Sequence, residues 1–213
     1  MSADREIGHL LTDLGFCGDS ARAAARAVLV EAGLFNPKKT RVSDEKLPRI
    51  EALLTERFAR ACSDRACQAA LLCVDPSRTL VVVEDARCCE HCQGSDNHKA
   101  MLRLSSACLG AGLTRLVVVG GSPSVRAELN ALKPPGLELR LIDGTERRTQ
   151  DKARSDLEWA HIVFVWGASE LDHRVSNLYT EGVGTHRRKV VQIARRGIAA
   201  LLNAGADHVE RLR

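Results

Sequence analysis

At residues 80–98, a short apolar run leads into a loop rich in cysteine. It reads Leu80-Val-Val-Val-Glu-Asp-Ala-Arg, followed by Cys88-Cys89-Glu-His-Cys92-Gln-Gly-Ser-Asp-Asn-His98. The valine-rich run is too short for a helix and is typical of a buried strand. The Ser-Asp-Asn sequence at positions 95–97 contains only residues that cap helices well. The stretch therefore predicts a strand, a loop carrying three cysteines and the start of a helix.

Strand patterns alternate with helical patterns along the rest of the chain. Further strands are predicted at residues 115–121, 137–142, 161–167 and 189–194, with helices between them. Such alternation implies right-handed crossovers and a parallel sheet covered by helices. We therefore predict that residues 79–213 form an α/β domain with a five-stranded, doubly wound parallel sheet of Rossmann-like or flavodoxin-like type, whose first strand is residues 80–84.

Residues 1–78 show helical periodicity, and we expect a helical region that serves association or regulation. Its third helix is predicted to start after Ser43 and to continue to about residue 74. The loop before it carries Lys38, Lys39 and Arg41, which makes a DNA-associated regulator one hypothesis. DNA is not the favoured partner, because the acidic pair Asp44-Glu45 at the start of that helix would repel phosphate.

The composition limits the classes of function. A net charge of +4 falls short of a nucleic-acid footprint, and 3% aromatic residues are too few for a base-stacking platform. No apolar run reaches the length of a membrane span, and the N-terminus lacks the features of a signal peptide. We expect a cytoplasmic protein without a membrane partner, compatible with a homo-oligomer. Its eight cysteines are then metal ligands, redox groups or core residues rather than disulfides.

The sequence from Cys89 to Gly94 is a CxxC motif followed closely by glycine, which is the spacing of a zinc knuckle. Cys89 and Cys92 supply half of a tetrahedral site, so two more ligands are needed. The candidates for these are His98, Cys88 and the pair Cys62 and Cys67. A redox pair is the alternative, but it favours a CxxC in the first turn of a helix, and here the helix cap follows the motif. Inert thiols are the third interpretation, and Cys17, Cys73 and Cys108 are expected to be core residues.

Ligands of open parallel sheets bind beyond the carboxyl ends of the strands, and the polar and glycine residues of this domain are concentrated in those loops. We expect a small anionic ligand, such as a phosphate group or a nucleotide, to bind there. Free amides at a glycine-rich helix start bind anions, although ordinary turns have the same composition. The predicted ligand-binding residues are Gly120, Gly121, Ser122, Asp143, Gly144, Asp172 and His173.

Two enzymatic alternatives remain open at this point. A hydrolase or transferase acting on a nucleotide would use Asp143, Asp172 and His173 as metal-binding or acid–base groups, which requires the three to converge. Thiol chemistry would instead use Cys89 and Cys92. The favoured hypothesis is a ligand-binding or regulatory module with a structural zinc.

Several segments together resemble a bacterial family of small Rossmann-like domains, which is a domain of unknown function. The matching segments are Val117-Val-Val-Gly120-Gly121, Asp143-Gly144, residues 157–165, Asp172-His173-Arg-Val-Ser176 and Arg188-Lys189. The resemblance covers roughly residues 80–195 and implies a Rossmann-like fold, with a CxxC upstream in some members. This chain departs from the family in having His161 where an aspartate is usual, and an Asp-His pair in place of Ser-His.

Overall fold

The computed structural model describes residues 4–181 and 183–212. The chain divides into two compact units, residues 1–95 and residues 96–213. Both units combine helices with parallel strands, so the mixed α/β class is confirmed. The strand and cysteine loop that we expected to open the α/β domain belong to the first unit.

The described part of the first unit has four helices and two small sheets. The helices are α1 (Ile7–Asp13), α2 (Asp19–Glu31), α3 (Leu47–Arg57) and α4 (Arg65–Val74). Strand β1 (Asp4–Glu6) pairs antiparallel with β2 (Arg41–Ser43), and β3 (Phe58–Ala61) pairs parallel with β4 (Thr79–Val82). One apolar cluster built on α1, α2 and α3 also takes in Phe58 and Val81, one residue from each parallel strand.

Residues 1–78, predicted as a helical region, also contain the strands β1, β2 and β3, which were not predicted. The third predicted helix does not run on to residue 74, because residues 58–61 leave it to pair with β4. Phe58, Ala59 and Ala61 are all buried in that pairing. Burial and strand pairing here override a local pattern that favours helix.

The second unit contains a four-stranded parallel sheet with the strand order β6-β5-β7-β8. Its strands are β5 (Arg115–Val119), β6 (Glu138–Ile142), β7 (Ile162–Trp166) and β8 (Val190–Ile193). Its helices are α5 (Asp96–Gly110), α6 (Pro123–Leu132), α7 (Gln150–Trp159), α8 (His173–Thr180) and α9 (Ile198–Arg211). These strands and helices fall where the alternating pattern predicts them.

The prediction of five strands in one sheet is wrong. The run at residues 79–82 pairs in register with residues 58–61, so it belongs to the two-stranded sheet of the first unit. The doubly wound arrangement stays a prediction. Alternate residues of the central strands do enter two separate apolar clusters: Val118 and Phe164 pack with α5 and α9, whereas Val117 and Val163 pack with α7 and α8.

Candidate metal centre

The first two cysteines follow β3 at its carboxyl end. Cys62 comes directly after the strand, and Cys67 lies in the first turn of α4. The Asp64 carboxylate caps this helix by accepting the Ala66 N–H at 2.9 Å, and the Gln68 side-chain amide donates to Cys62 O at 3.1 Å. The turn between the two cysteines is therefore held at both ends by local hydrogen bonds.

The other two cysteines follow β4, in the loop that the CxxC motif predicts. Because β3 and β4 are parallel, their carboxyl ends lie at the same edge, and the two loops meet there. Gln93 and Gly94 both have positive φ, 51° and 74°, which turns the chain sharply after Cys92. A Cβ on Gly94 would lie 3.1 Å from the backbone nitrogen of Arg87, so both the limited space and the positive φ favour glycine at this position.

Glu90, inside the CxxC motif, ties the loop to β3. Its N–H donates to Arg60 O at 2.9 Å, and its carboxylate lies 3.0 Å from Arg60 Nε. The same carboxylate pairs with Arg78 at 2.9 Å. All three side chains are at most 21% exposed, so these ion pairs are largely shielded from water.

These elements bring four sulfur atoms together, from Cys62, Cys67, Cys89 and Cys92. All four lie within 4.8 Å of one another, and all four residues are buried. The Sγ atoms of Cys62 and Cys92 are 3.8 Å apart. Four thiolates around one zinc at about 2.3 Å would be spaced about 3.8 Å apart, so the cluster has the size of a mononuclear tetrahedral site.

Burial and backbone N–H groups act in opposite directions on the pKa of the thiols of Cys89 and Cys92. Burial raises the pKa of Cys67 well above the ordinary thiol range and also raises that of Cys92, where an N–H from Gly94 works against it. At Cys89 burial again acts to raise the pKa, but backbone N–H groups near the sulfur outweigh it and lower the pKa to about 7. Those donors belong to Cys92, Cys62 and His91. Backbone N–H groups that stabilise a thiolate suit a metal ligand.

The structure shows which of the candidate ligands lie close to the two CxxC cysteines. Cys62 and Cys67 complete the group, whereas Cys88 and His98 are not members of it among the described residues. Cys88 instead shares a hydrogen bond with Cys17, and burial, with that bond, raises its pKa to about 11. Cys108 is buried as expected, but Cys73 is exposed, so the expectation that it is a core residue is wrong.

Two of the predicted ligand-binding glycines in the second unit, Gly120 and Gly121, donate their backbone N–H groups to other residues of the protein. Gly120 N–H donates to Ile142 O at 3.0 Å, and Gly121 N–H donates to Ser169 Oγ at 2.8 Å. A Cβ on Gly144 would lie 3.0 Å from Gly120 Cα. Gly120 and Gly144 therefore allow two loops to pack closely. Ser122 Oγ forms a hydrogen bond with Ser124 Oγ at 3.1 Å.

The predicted acid–base residues also have local roles. The Asp143 carboxylate accepts the N–H and hydroxyl of Thr145 and pairs with Arg126 at 2.5 Å, and these contacts lower its pKa. Asp172 caps α8 by accepting the Arg174 N–H at 2.7 Å. His173 is exposed at the first position of α8. No hydrogen bond or ion pair among the described residues joins Asp143, Asp172 and His173 to one another.

An open cleft lies beside these loops at the carboxyl edge of the second sheet. Its volume is about 700 Å³, and it opens between the loops after β5, β7 and β8. The polar and aromatic side chains that line it include those of Ser122, Trp166, Ser169, Glu170 and Arg196. Of the predicted ligand-binding residues, Gly121 and Ser122 line the cleft. The others do not, because which residues of a loop face a cleft is set by packing that has no local sequence pattern.

Comparison with protein-family models, with curated proteins and with solved structures finds no match to this chain. None of the helices that the structure describes combines the length and the apolarity needed to cross a membrane. The class that fold and site define is therefore an α/β protein with a buried four-cysteine cluster compatible with zinc.

Proposed function

We propose that the protein binds one zinc ion through Cys62, Cys67, Cys89 and Cys92, and that the ion holds the first unit folded. The observation that carries this proposal is the mutual distance of at most 4.8 Å among the four sulfur atoms. Four protein ligands leave no position open for water or substrate, which is the mark of a structural rather than a catalytic zinc. Thiolate ligands also favour a reducing compartment such as the cytoplasm.

The metal would supply stability that the first unit otherwise lacks. β3 and β4 form a sheet of only two strands, and such a pair is weak by itself. A zinc ion bound to both loops would cross-link their carboxyl ends and compensate the charge of the thiolates. Glu90, with Arg60 and Arg78, would keep the two loops in place for the ion.

The test is the metal content of the protein purified under reducing conditions, measured by inductively coupled plasma mass spectrometry. We expect one zinc per chain, and loss of it in Cys89→Ser and Cys67→Ser. Cys73→Ser is the matched control, because this exposed thiol is outside the cluster. Loss of zinc should lower the melting temperature by roughly 10 °C, which corresponds to about 3 kcal/mol. Metal-free protein with unchanged melting would contradict the proposal.

We further propose that the cleft of the second unit binds a small ligand with an anionic group, such as a nucleotide. The specific support is the cleft itself, which lies at the sheet edge where open α/β sheets bind ligands. Arg196 would pair with the anionic group, assisted by the Ser122 hydroxyl. Glu170 would accept hydrogen bonds from hydroxyl groups of the ligand. The occupied amides of Gly120 and Gly121 are not part of this proposal.

Isothermal titration calorimetry with ATP and with inorganic phosphate tests the cleft. We expect Arg196→Ala to weaken binding about tenfold, the equivalent of one charged hydrogen bond, whereas Arg154→Ala, an exposed arginine of α7, should leave it unchanged. Equal effects of both variants would show only general charge attraction. Release of phosphate from ATP that depends on Asp172 and His173 would favour a hydrolase instead.

A further inference from the structure

The strand β8 stands at the edge of the second sheet. It pairs with β7, and among the described residues no strand pairs with its other side. Ile193 O accepts the Gly167 N–H at 3.0 Å, so Ile193 directs its backbone groups toward β7. Because successive residues of a strand alternate in direction, Gln192 directs its N–H and C=O to the outer edge.

A groove lies beside this strand. It has a volume of about 630 Å³, and Val190 and Gln192 form one wall of it. Thr180 at the end of α8, with Val183, Gly184 and Arg187, forms the rest. An exposed strand edge beside a groove has the form of a site for strand addition, in which an extended peptide takes the place of a further strand.

The charged residues in the sequence around β8 are all basic. The sequence between Glu181 and Asp207 contains no acidic residue, and five basic residues flank β8 at both of its ends. These are Arg187, Arg188 and Lys189 before the strand and Arg195 and Arg196 after it. Both arginines that precede Lys189 are exposed, as are the two that follow the strand. An added strand would therefore meet positive charge at each end.

We propose that the edge of β8 binds an extended acidic segment of a partner protein by strand addition. Backbone hydrogen bonds to Gln192 would hold the segment, and its acidic side chains would pair with the two basic clusters. The proposal shares Arg196 with the cleft, but it requires neither a bound metal nor a bound cleft ligand.

Two other occupants fit less well. If two copies of β8 paired antiparallel, the basic residues before one strand would lie beside those after the other, and like charges would repel. A single-stranded nucleic acid has the negative charge that the basic residues would attract. Its bases would find no aromatic side chain on which to stack, because none lines the groove. A peptide backbone, by contrast, matches the unpaired groups of the edge.

Fluorescence anisotropy with a labelled peptide of alternating Glu and Val tests this inference on the full-length protein. We expect salt-sensitive binding that weakens about tenfold in Gln192→Pro, which removes only an outward N–H, and that is retained in Gln192→Ala. A peptide of equal charge in which alternate valines are replaced by proline keeps the acids but loses the N–H groups of those positions and part of its freedom to adopt an extended strand. It should bind about tenfold more weakly to the unchanged protein.

Four outcomes would overturn the proposal. The proline-containing peptide could bind as well as the parent, which would leave only charge attraction. A single-stranded oligonucleotide could displace the peptide at a lower concentration than the unlabelled peptide does, which would identify a nucleic-acid surface. Light scattering could show a dimer that Gln192→Pro dissociates, which would make the edge an interface between copies. Charge reversal by Arg187→Glu with Arg188→Glu should abolish peptide binding, and retention of binding would also contradict the proposal.

Discussion

Glu90 contacts both parts of the four-cysteine cluster, although it is not one of its cysteines. It lies between the two cysteines of the CxxC motif, yet its carboxylate pairs with Arg60 and Arg78. Arg60 belongs to β3, two residues before Cys62, so one carboxylate connects the two halves of the cluster. Sequence spacing identifies the cysteines, but it gives no sign of this connection, because ion pairs between distant residues have no local pattern.

We predict that Glu90→Gln destabilises the zinc-loaded protein by about 2 kcal/mol, because two shielded arginines lose their counter-charge. Urea denaturation followed by circular dichroism measures the change. Glu56→Gln, at an exposed position of α3, is the control and should change stability by less than about 0.5 kcal/mol. Equal stability of both variants would show that the ion pairs do not hold the loop.

The lowered pKa of Asp143 leads to a prediction about how the unfolding free energy depends on pH. Hydrogen bonds from Thr145 and the charge of Arg126 lower its pKa in the folded protein, so its ionised form is favoured by folding. The stabilisation is therefore complete above the unfolded pKa of about 4 and is lost as the pH falls through the folded pKa. The difference in unfolding free energy between the unchanged protein and Asp143→Asn should be constant near neutral pH and should shrink below about pH 4. A difference that grows on acidification would contradict this assignment.

The β3–α4–β4 segment is the structural element that assembles the site. Parallel pairing puts the loops after β3 and β4 at one edge, and each loop contributes two cysteines. From the sequence, the CxxC half of the site is predictable because spacing within one loop is local. The other half depends on the pairing of β3, a strand of four residues with no β-branched side chain. Cys62 and Cys67 were for this reason only two of several candidate ligands.

Substitution of Gly94 by alanine tests the importance of the turn that follows the CxxC motif. Its φ of 74° disfavours any side chain, and a Cβ would lie 3.1 Å from the Arg87 nitrogen. Gly33 is a matched control in the same unit, since its φ is 67° but a Cβ there would meet nothing within 4 Å. We predict that Gly33→Ala costs about 1 kcal/mol, and that Gly94→Ala costs about 1 kcal/mol more and accelerates zinc transfer to a chelator. Equal costs, with equal transfer rates, would refute the role of the close contact.

At the scale of the whole molecule, the sequence predicts the four strands of the second unit well and assigns the strand at residues 79–82 to the wrong sheet. Strands and helices of the second unit are revealed by periodicity, which is local. The partner of a strand is not local, and the run at residues 80–84 looks equally suited to either sheet. The first unit therefore contains one strand, β4, that was expected to be part of the second.

The two units should respond differently to removal of the metal. We predict that a chelator with reductant raises amide hydrogen exchange in α4 and in the loop of residues 83–95, and leaves the strands β5, β6 and β7 protected. Both tryptophans, Trp159 and Trp166, lie in the second unit, so their fluorescence follows that unit alone. Their unfolding transition should be unchanged by the chelator. A uniform rise in exchange along the chain would contradict a local role for the metal.

The proposed zinc ion has four cysteine thiolates of the first unit as its ligands. Zinc K-edge X-ray absorption of the purified protein measures this most directly, because it counts the ligand atoms and their distances. We predict four sulfur atoms at about 2.3 Å from the zinc and no nitrogen or oxygen ligand. A shell with nitrogen or oxygen ligands, or a second metal atom nearby, would contradict it.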